Sequence, residues 1–249
     1  VEIDPWDASS TPIKRTALGR AAHEGAACGV AADGRVVVLM GEDAAFERIY
    51  KFVSHGRVQP GQDAAARRAN RTLLDHGTLY AARFDAGGRG AWLPLLHGQG
   101  PLTTANGFAD QGEVLVKARQ ASDALGATPM DRPEWSAIDP ASGAMYVTLT
   151  NNTLRGQPGY PGADAANPRA PNPMGHILRM RHADGLAAET FDWDLLVQAG
   201  DKRTTAPETR GNVQGDAFGS PDGLVIDPTG RLWVHTDVSP SAMGRGPYA

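Results

Sequence analysis

Residues 130–135 read MDRPEW and place Asp131, Arg132 and Glu134 within four positions, with Pro133 between the last two. Carboxylates this close can hold a hard cation. A guanidinium beside them is suited to gripping a tetrahedral oxyanion bidentately, with no risk of losing its proton. In an extended strand, residues i and i+2 face the same side, so Arg132 and Glu134 are expected to point together. Pro133 would stiffen the pair and is tolerated where its missing N–H faces away from a strand ladder.

The acid recurs in the same context. The stretches 23–43, 132–152 and 220–237 each open near an acid (Glu24, Glu134, Asp222) and continue through small or apolar residues to a turn containing Gly34, Gly143 or Gly230. A β-branched and aromatic run follows, RVVVLM, AMYVTLT or RLWVHT. Asp139-Pro140 and Asp227-Pro228, each followed by a glycine, are turn chemistry joining two strands of a hairpin. A second unit, RIYKFVS (48–54), TLYAARFD (78–85) and HILRMRH (176–182), alternates apolar with polar residues as half-buried strands do. The acids are spaced 110 and 88 residues apart. At about 40–50 residues per blade, that predicts an all-β fold, a β-propeller of which this chain holds roughly four blades.

In a propeller the innermost strands line a central channel, so repeat-equivalent acids at their starts converge. Three carboxylates in one mouth would raise one another's pKa unless a cation compensates. Calcium takes such oxygens, and ferric iron is a harder alternative. The plainer reading is that each acid caps a turn or pairs with a surface arginine, and Arg132–Glu134 is an ordinary surface pair.

Between the repeats, residues 112–127 carry Val114, Leu115, Ala118, Ala121 and Leu125 at helical spacing. Gly126 and Pro129 follow, which predicts one inserted helix around 112–126 leading into MDRPEW. Residues 154–175, rich in Pro, Gly, Ala and Asn, and residues 201–219 read as long loops, which inside a compact domain tend to be functional. Asp216, in the second loop, could add a ligand or serve as a turn aspartate. Asn151 and Asn152 are candidate neutral ligands or turn residues. His23 precedes Glu24 and is expected on the opposite face of its strand. The seven histidines lack HExxH spacing, and there is no GxSxG elbow or phosphate-binding Walker loop.

The 249 residues read as a single partial propeller domain, cut at both ends. A net charge of −4 provides no basic footprint for nucleic acid. No apolar run approaches the roughly 18 residues of a transmembrane helix. The single cysteine, Cys28, excludes an internal disulfide framework.

Several segments together, RTALGRAAHEGA, GRVVVLMGEDAAFERIYKFVS, GATPMDRPEW, MYVTLTNN, NPMGHILRM and FGSPDGLVIDPTGRLWVHTD, resemble the PhoX-type alkaline phosphatases over nearly the whole chain. The resemblance implies a six-bladed propeller in the full protein that hydrolyses small phosphate monoesters outside the cytoplasmic membrane, in the periplasm or secreted. It further implies a mixed cluster of calcium (Ca2+) and ferric iron (Fe3+), and export of the folded protein. By position, Glu24 and Glu134 would be cluster ligands, Asp222 and Asp216 calcium ligands, and Arg132 the contact to the substrate phosphate. The family's iron-binding cysteine belongs to a segment before residue 1, and Cys28 is not taken as that ligand. His76 stands where an acid is expected. The chain is read as a monomer. The alternatives are a calcium-dependent propeller lactonase and a non-catalytic binding propeller stapled by calcium.

Overall fold

The computed structural model describes residues 1–239. Its strands form two antiparallel meanders and a hairpin. The first meander runs through β1 (His23–Val30), β2 (Arg35–Glu42), β3 (Ile49–Arg57), β4 (Gly77–Asp85) and β5 (Arg89–Pro94), with a short helix α1 (Ala64–Asn70) between β3 and β4. The second comprises β6 (Pro133–Ile138), β7 (Met145–Leu149), β8 (His176–Arg181) and β9 (Thr190–Gln198). Pairing of Arg89–Ala91 with Thr190–Asp192 joins them edge to edge, giving the order β1-β2-β3-β4-β5-β9-β8-β7-β6. The two ends of that order, β1 and β6, lie against each other, so the sheet curls nearly closed. A separate hairpin, β10 (Pro221–Ile226) and β11 (Leu232–Thr236), packs on β6 and β7. The Thr148 hydroxyl ties it down by donating to the Asp222 carbonyl at 2.6 Å.

All three repeated stretches are hairpins of this kind, and the recurrent second unit supplies β3, β4 and β8. The fold is all-β with few helices. About four blades are not confirmed by the strand count. The interval from Glu24 to Glu134 holds one meander together with its helices, and the interval to Asp222 holds one meander with its loops. Wide acid spacing therefore reflects long connections as well as strands.

Close approach of β6 to the first meander depends on two glycines. A Cβ at Gly41 would sit 2.2 Å from the Glu134 carbonyl oxygen, and one at Gly25 would sit 2.8 Å from the Trp135 Cα. Any larger residue at either position would push β6 away from β1 and β2.

The core has two layers, and β2 shows why. Val37 and Leu39 face a cluster shared with Met145, Val147, Leu178, Met180, Phe191 and Trp193 of the second meander. Val38 and Met40, on the other face, join Tyr50, Phe52, Leu79 and the helical residues Val114, Ala118 and Ala121. The predicted helix is present as two, α2 (Gln111–Val116) and α3 (Ala118–Leu125), broken at Lys117, where ψ turns to 36°. Gly126 ends α3 in the left-handed conformation at φ 78°. Because these helices cover the outer face of the first meander, β3 is buried on both sides along its first six residues, where alternation had predicted half-burial.

Lys51 is the polar member of that alternation, and it is fully buried. Its ammonium donates to the carbonyls of Ala188 (2.5 Å) and Leu186 (3.3 Å) and lies 4.7 Å from the Trp92 ring centroid. Burial lowers its pKa to about 7, partly opposed by the nearby Glu189 charge.

A second buried cation organises the 154–175 loop. Arg155 and Asp131 are both fully buried and pair at 2.6 Å. Arg155 also donates to the carbonyls of Pro129 (2.7 Å) and Gly162 (2.8 Å). The second Asp131 oxygen accepts from Asn172 at 2.9 Å, and Asn172 lies 3.1 Å from His176 Nδ1 at the start of β8. Both ends of the loop are thereby fastened to the segment that carries Arg132.

Two outcomes follow for the full-length protein. Arg155→Ala, which strands a buried carboxylate, should lower the unfolding free energy by about 3–5 kcal/mol, measured by urea denaturation; a loss within error would count against the fastening role. In the unfolded chain Lys51 keeps its proton to about pH 10.5, whereas the folded chain releases it near pH 7. Between those values the unfolded state binds more protons, so this group makes stability rise with pH. Lys51→Met should flatten that rise in denaturation curves recorded from pH 7 to 10, and an unaltered slope would refute it.

Candidate functional site

The three acid-bearing strands share one local distortion. Pairing with the neighbouring strand is interrupted between His23 and Ala26, between Pro133 and Ser136, and between Pro221 and Leu224. Glu24, Glu134 and Asp222 each lie inside such a bulge, which re-aims a side chain that a regular ladder would hold in alternation. The preceding backbone is equally regular in its irregularity. The carbonyls of Ala22, Arg132 and Ser220 accept from the amides of Asp43 (3.0 Å), Thr150 (3.1 Å) and Asp237 (3.0 Å). Arg132 and Ser220, each followed by proline, have φ of 53° and 49°. Arg132 is thus left-handed backbone outside the strand, and the extended i,i+2 geometry expected for Arg132 and Glu134 is absent. The two side chains still meet, because the turn at Arg132 and the bulge at Glu134 aim both at one place.

That place is a carboxylate cluster. Glu24, Asp43 and Glu134 each present an oxygen within 4.8 Å of the others. Arg132 Nη2 donates to Asp43 Oδ2 at 3.0 Å and to Glu134 Oε1 at 3.1 Å, and its Nη1 lies 3.5 Å from Asn151 Oδ1. Asp43 Oδ1 is 2.9 Å from the same guanidinium nitrogen, yet it is buried and accepts no hydrogen bond. Glu134 is buried, and its pKa rises to about 8. Burial is the main cause, followed by the Asp43 and Asp222 charges, with Arg132 opposing. Asp222 is raised as well, by burial and then by Glu24, Asp237 and Asp43. A partly buried group of acids with one guanidinium is short of positive charge, and both Asp43 oxygens depend on that single cation. The donor set fits a hard cation.

The neighbouring shell holds the cluster from the helical side. Glu42, fully buried beside Asp43, accepts from the Ala22 amide (3.1 Å), from Tyr50 (3.1 Å) and from Arg119 of α3 (2.5 Å). Arg48 pairs with Asp123 on the same helix. The inserted helix therefore braces the β2 end from which Asp43 projects.

Among the expected site residues, Glu24, Glu134 and Arg132 are brought together. Asp222 is near enough for its charge to be felt by Glu134, but it lies outside the 4.8 Å group. Asp216 is exposed in the 201–219 loop and lines a cleft with Asp201, Lys202 and Arg203. His23 is exposed, with its ring 3.1 Å from the Gly19 carbonyl, and Cys28 is exposed on β1. The residue that sequence reasoning missed is Asp43. It closes the first repeated stretch as Asp237 closes the third, a signal that was visible but unused.

Fold and site together define an all-β protein with a carboxylate cluster and an arginine at one end of its sheet, suited to a cation facing an oxyanion. The chain belongs to the alkaline phosphatase PhoX family, whose profile it matches over residues 1–246. Among solved structures it is similar to Pseudomonas fluorescens PhoX in complex with vanadate, a transition state analogue, with 48% identity and a TM-score of 0.91. The match covers 99% of this chain and 44% of that one, so the chain spans less than half the length of this solved relative. No curated protein sequence matches.

Asp43→Asn should weaken metal binding by the full-length protein at least about tenfold, read by titration calorimetry with the circular dichroism spectrum unchanged. Wild-type affinity in that variant would remove Asp43 from the ligand set.

Proposed function

We propose that this chain contributes the metal-binding and phosphate-binding parts of a metal-dependent phosphatase acting on small phosphate monoesters. The observation that carries the reading is the meeting of Glu24, Asp43 and Glu134 beside Arg132, three carboxylates gathered at a single guanidinium. Membership of the alkaline phosphatase PhoX family and likeness to a vanadate-bound relative support it. They do not favour a lactonase or a non-catalytic propeller.

The meanders are read as blades of a β-propeller, six-bladed in the full protein, with β1, β6 and β10 as inner strands around the mouth. Glu24, Asp43, Glu134 and Asp222 would hold the cations, with Asp216 as a further calcium ligand. We read the cluster as mixed calcium and iron and the location as periplasmic or secreted, a reading that the family resemblance supports. Among the described residues no helix is long and apolar enough to cross a membrane.

When bound, such ions polarise phosphoryl oxygens and supply an oxygen nucleophile. The chain itself supplies charge and position. Arg132 is partly exposed at the edge of the cluster, where its fork can grip two oxygens of a phosphate and offset the charge that builds on them in the transition state. The Asp43 and Glu134 carboxylates pre-orient that guanidinium. Its backbone, left-handed at φ 53°, is fastened by the Thr150 amide donating to its carbonyl. Asp131 and Arg155 below fix the height at which the turn sits.

The full-length protein, loaded with calcium and iron, should hydrolyse a chromogenic phosphate monoester and lose that activity to a chelator. Arg132→Ala should lower kcat about a hundred- to a thousandfold while metal content stays at the wild-type level. Retained turnover in that variant would exclude Arg132 from the phosphate role.

A further inference from the structure

β6 begins opposite the end of β7, and β1 begins opposite the end of β2. The connections that follow β2 and β7 therefore rise from the same end of the sheet as the carboxylate cluster. Each carries an aromatic residue, Phe46 in the first and Tyr160 in the second, and their rings stack at 5.4 Å between centroids with an interplanar angle of 14°.

Phe46 is held there against its own backbone preference. Its φ is 69°, a left-handed value that a bulky residue adopts only when its surroundings dictate it. Its amide donates to the Met130 carbonyl at 2.8 Å, and Ala45 bridges to Asp131. The Arg155 guanidinium lies 5.2 Å from the Phe46 ring centroid, itself locked by the buried Asp131. Three residues before Phe46 is Asp43, and one residue after Asp131 is Arg132. The same backbone that sets the cluster thus sets the aromatic pair.

Tyr160 keeps 46% of its surface exposed although it is stacked. Trp135, an exposed aromatic next to Glu134 in the chain, has no ring partner among the described residues. Tyr160 is therefore an ordered ring with an open surface, on a connection that leaves the same end of the sheet as the Arg132 turn and the carboxylate cluster. A flat, pre-positioned ring of this kind favours another flat ring.

We propose that Tyr160, braced by Phe46, forms a leaving-group subsite that selects aryl phosphate monoesters over those of aliphatic alcohols. This rests on the phosphatase reading above. Tyr160 is a specificity residue under this proposal, since it contributes binding of the leaving group and no chemistry. The loss of such uniform binding raises KM and leaves kcat in place.

The test compares phenyl phosphate with glycerol phosphate in the metal-loaded full-length protein. Tyr160→Ala should raise KM for phenyl phosphate about three- to tenfold, with kcat and the glycerol phosphate KM unchanged. Tyr160→Phe should keep wild-type selectivity, and Tyr160→Leu, which retains bulk without a ring face, should lose it; the Leu variant also decides the matter if the Ala variant misfolds. Equal effects on both esters, or none, would overturn the subsite while leaving the phosphatase reading intact. A wild-type protein that hydrolyses neither ester would overturn both.

Discussion

The Asp131–Arg155 pair is the constraint on which the rest of the structure depends. Two fully buried charges are stable only when each is paired and its remaining hydrogen-bonding capacity is used. Asp131 meets that condition with Arg155 and Asn172, and Arg155 with Asp131 and two backbone carbonyls. A loop of Pro, Gly, Ala and Asn has little apolar surface with which to order itself. Here the order comes from its polar groups, anchored on one aspartate beside Arg132. The same pair lies beneath the Phe46 ring, so the height of Arg132 and the placing of the aromatic stack have one cause.

Charge imbalance follows one layer above. Glu24, Asp43, Glu134 and Asp222 share a region with Arg132, and burial, followed by the Asp43 and Asp222 charges, pushes Glu134 to about 8. A chain that needed only stability would not gather these groups. The bulges in β1, β6 and β10 and the left-handed Arg132 are local departures from regular pairing whose joint effect is to aim acids at one another. Strain of this kind persists when the surroundings over-determine it. Those surroundings include Glu42 held by Arg119 and Tyr50, and β6 laid tightly over Gly25 and Gly41.

Period-two runs and hairpin turns were legible in the sequence because they are local, and the three repeated stretches became three hairpins. The helix was legible from Val114, Ala118 and Ala121, though not its break at Lys117. Blade number was not legible, since spacing between acids cannot separate strand from connection. Half-burial of β3 was misjudged because the cover over its second face comes from helices some 60 residues later in the chain. Lys51 looked like a solvent residue and is buried, because its own face of β3, shared with Ile49 and Val53, is closed by Trp92 and the Leu186–Ala188 backbone.

From the sequence alone came the residue types, their recurrence and the expectation that Glu24 and Glu134 face one place, because a repeat imposes equivalent positions on equivalent strands. Only the tertiary structure decided that Asp43 completes the cluster, that Asp222 stands just outside it, and that Asp131 turns inward to Arg155. Those outcomes depend on bulges, a left-handed turn and partners 24 to 89 residues apart. Neither periodicity nor motif encodes such geometry, since it arises only when separate strands share one buried, charge-crowded space.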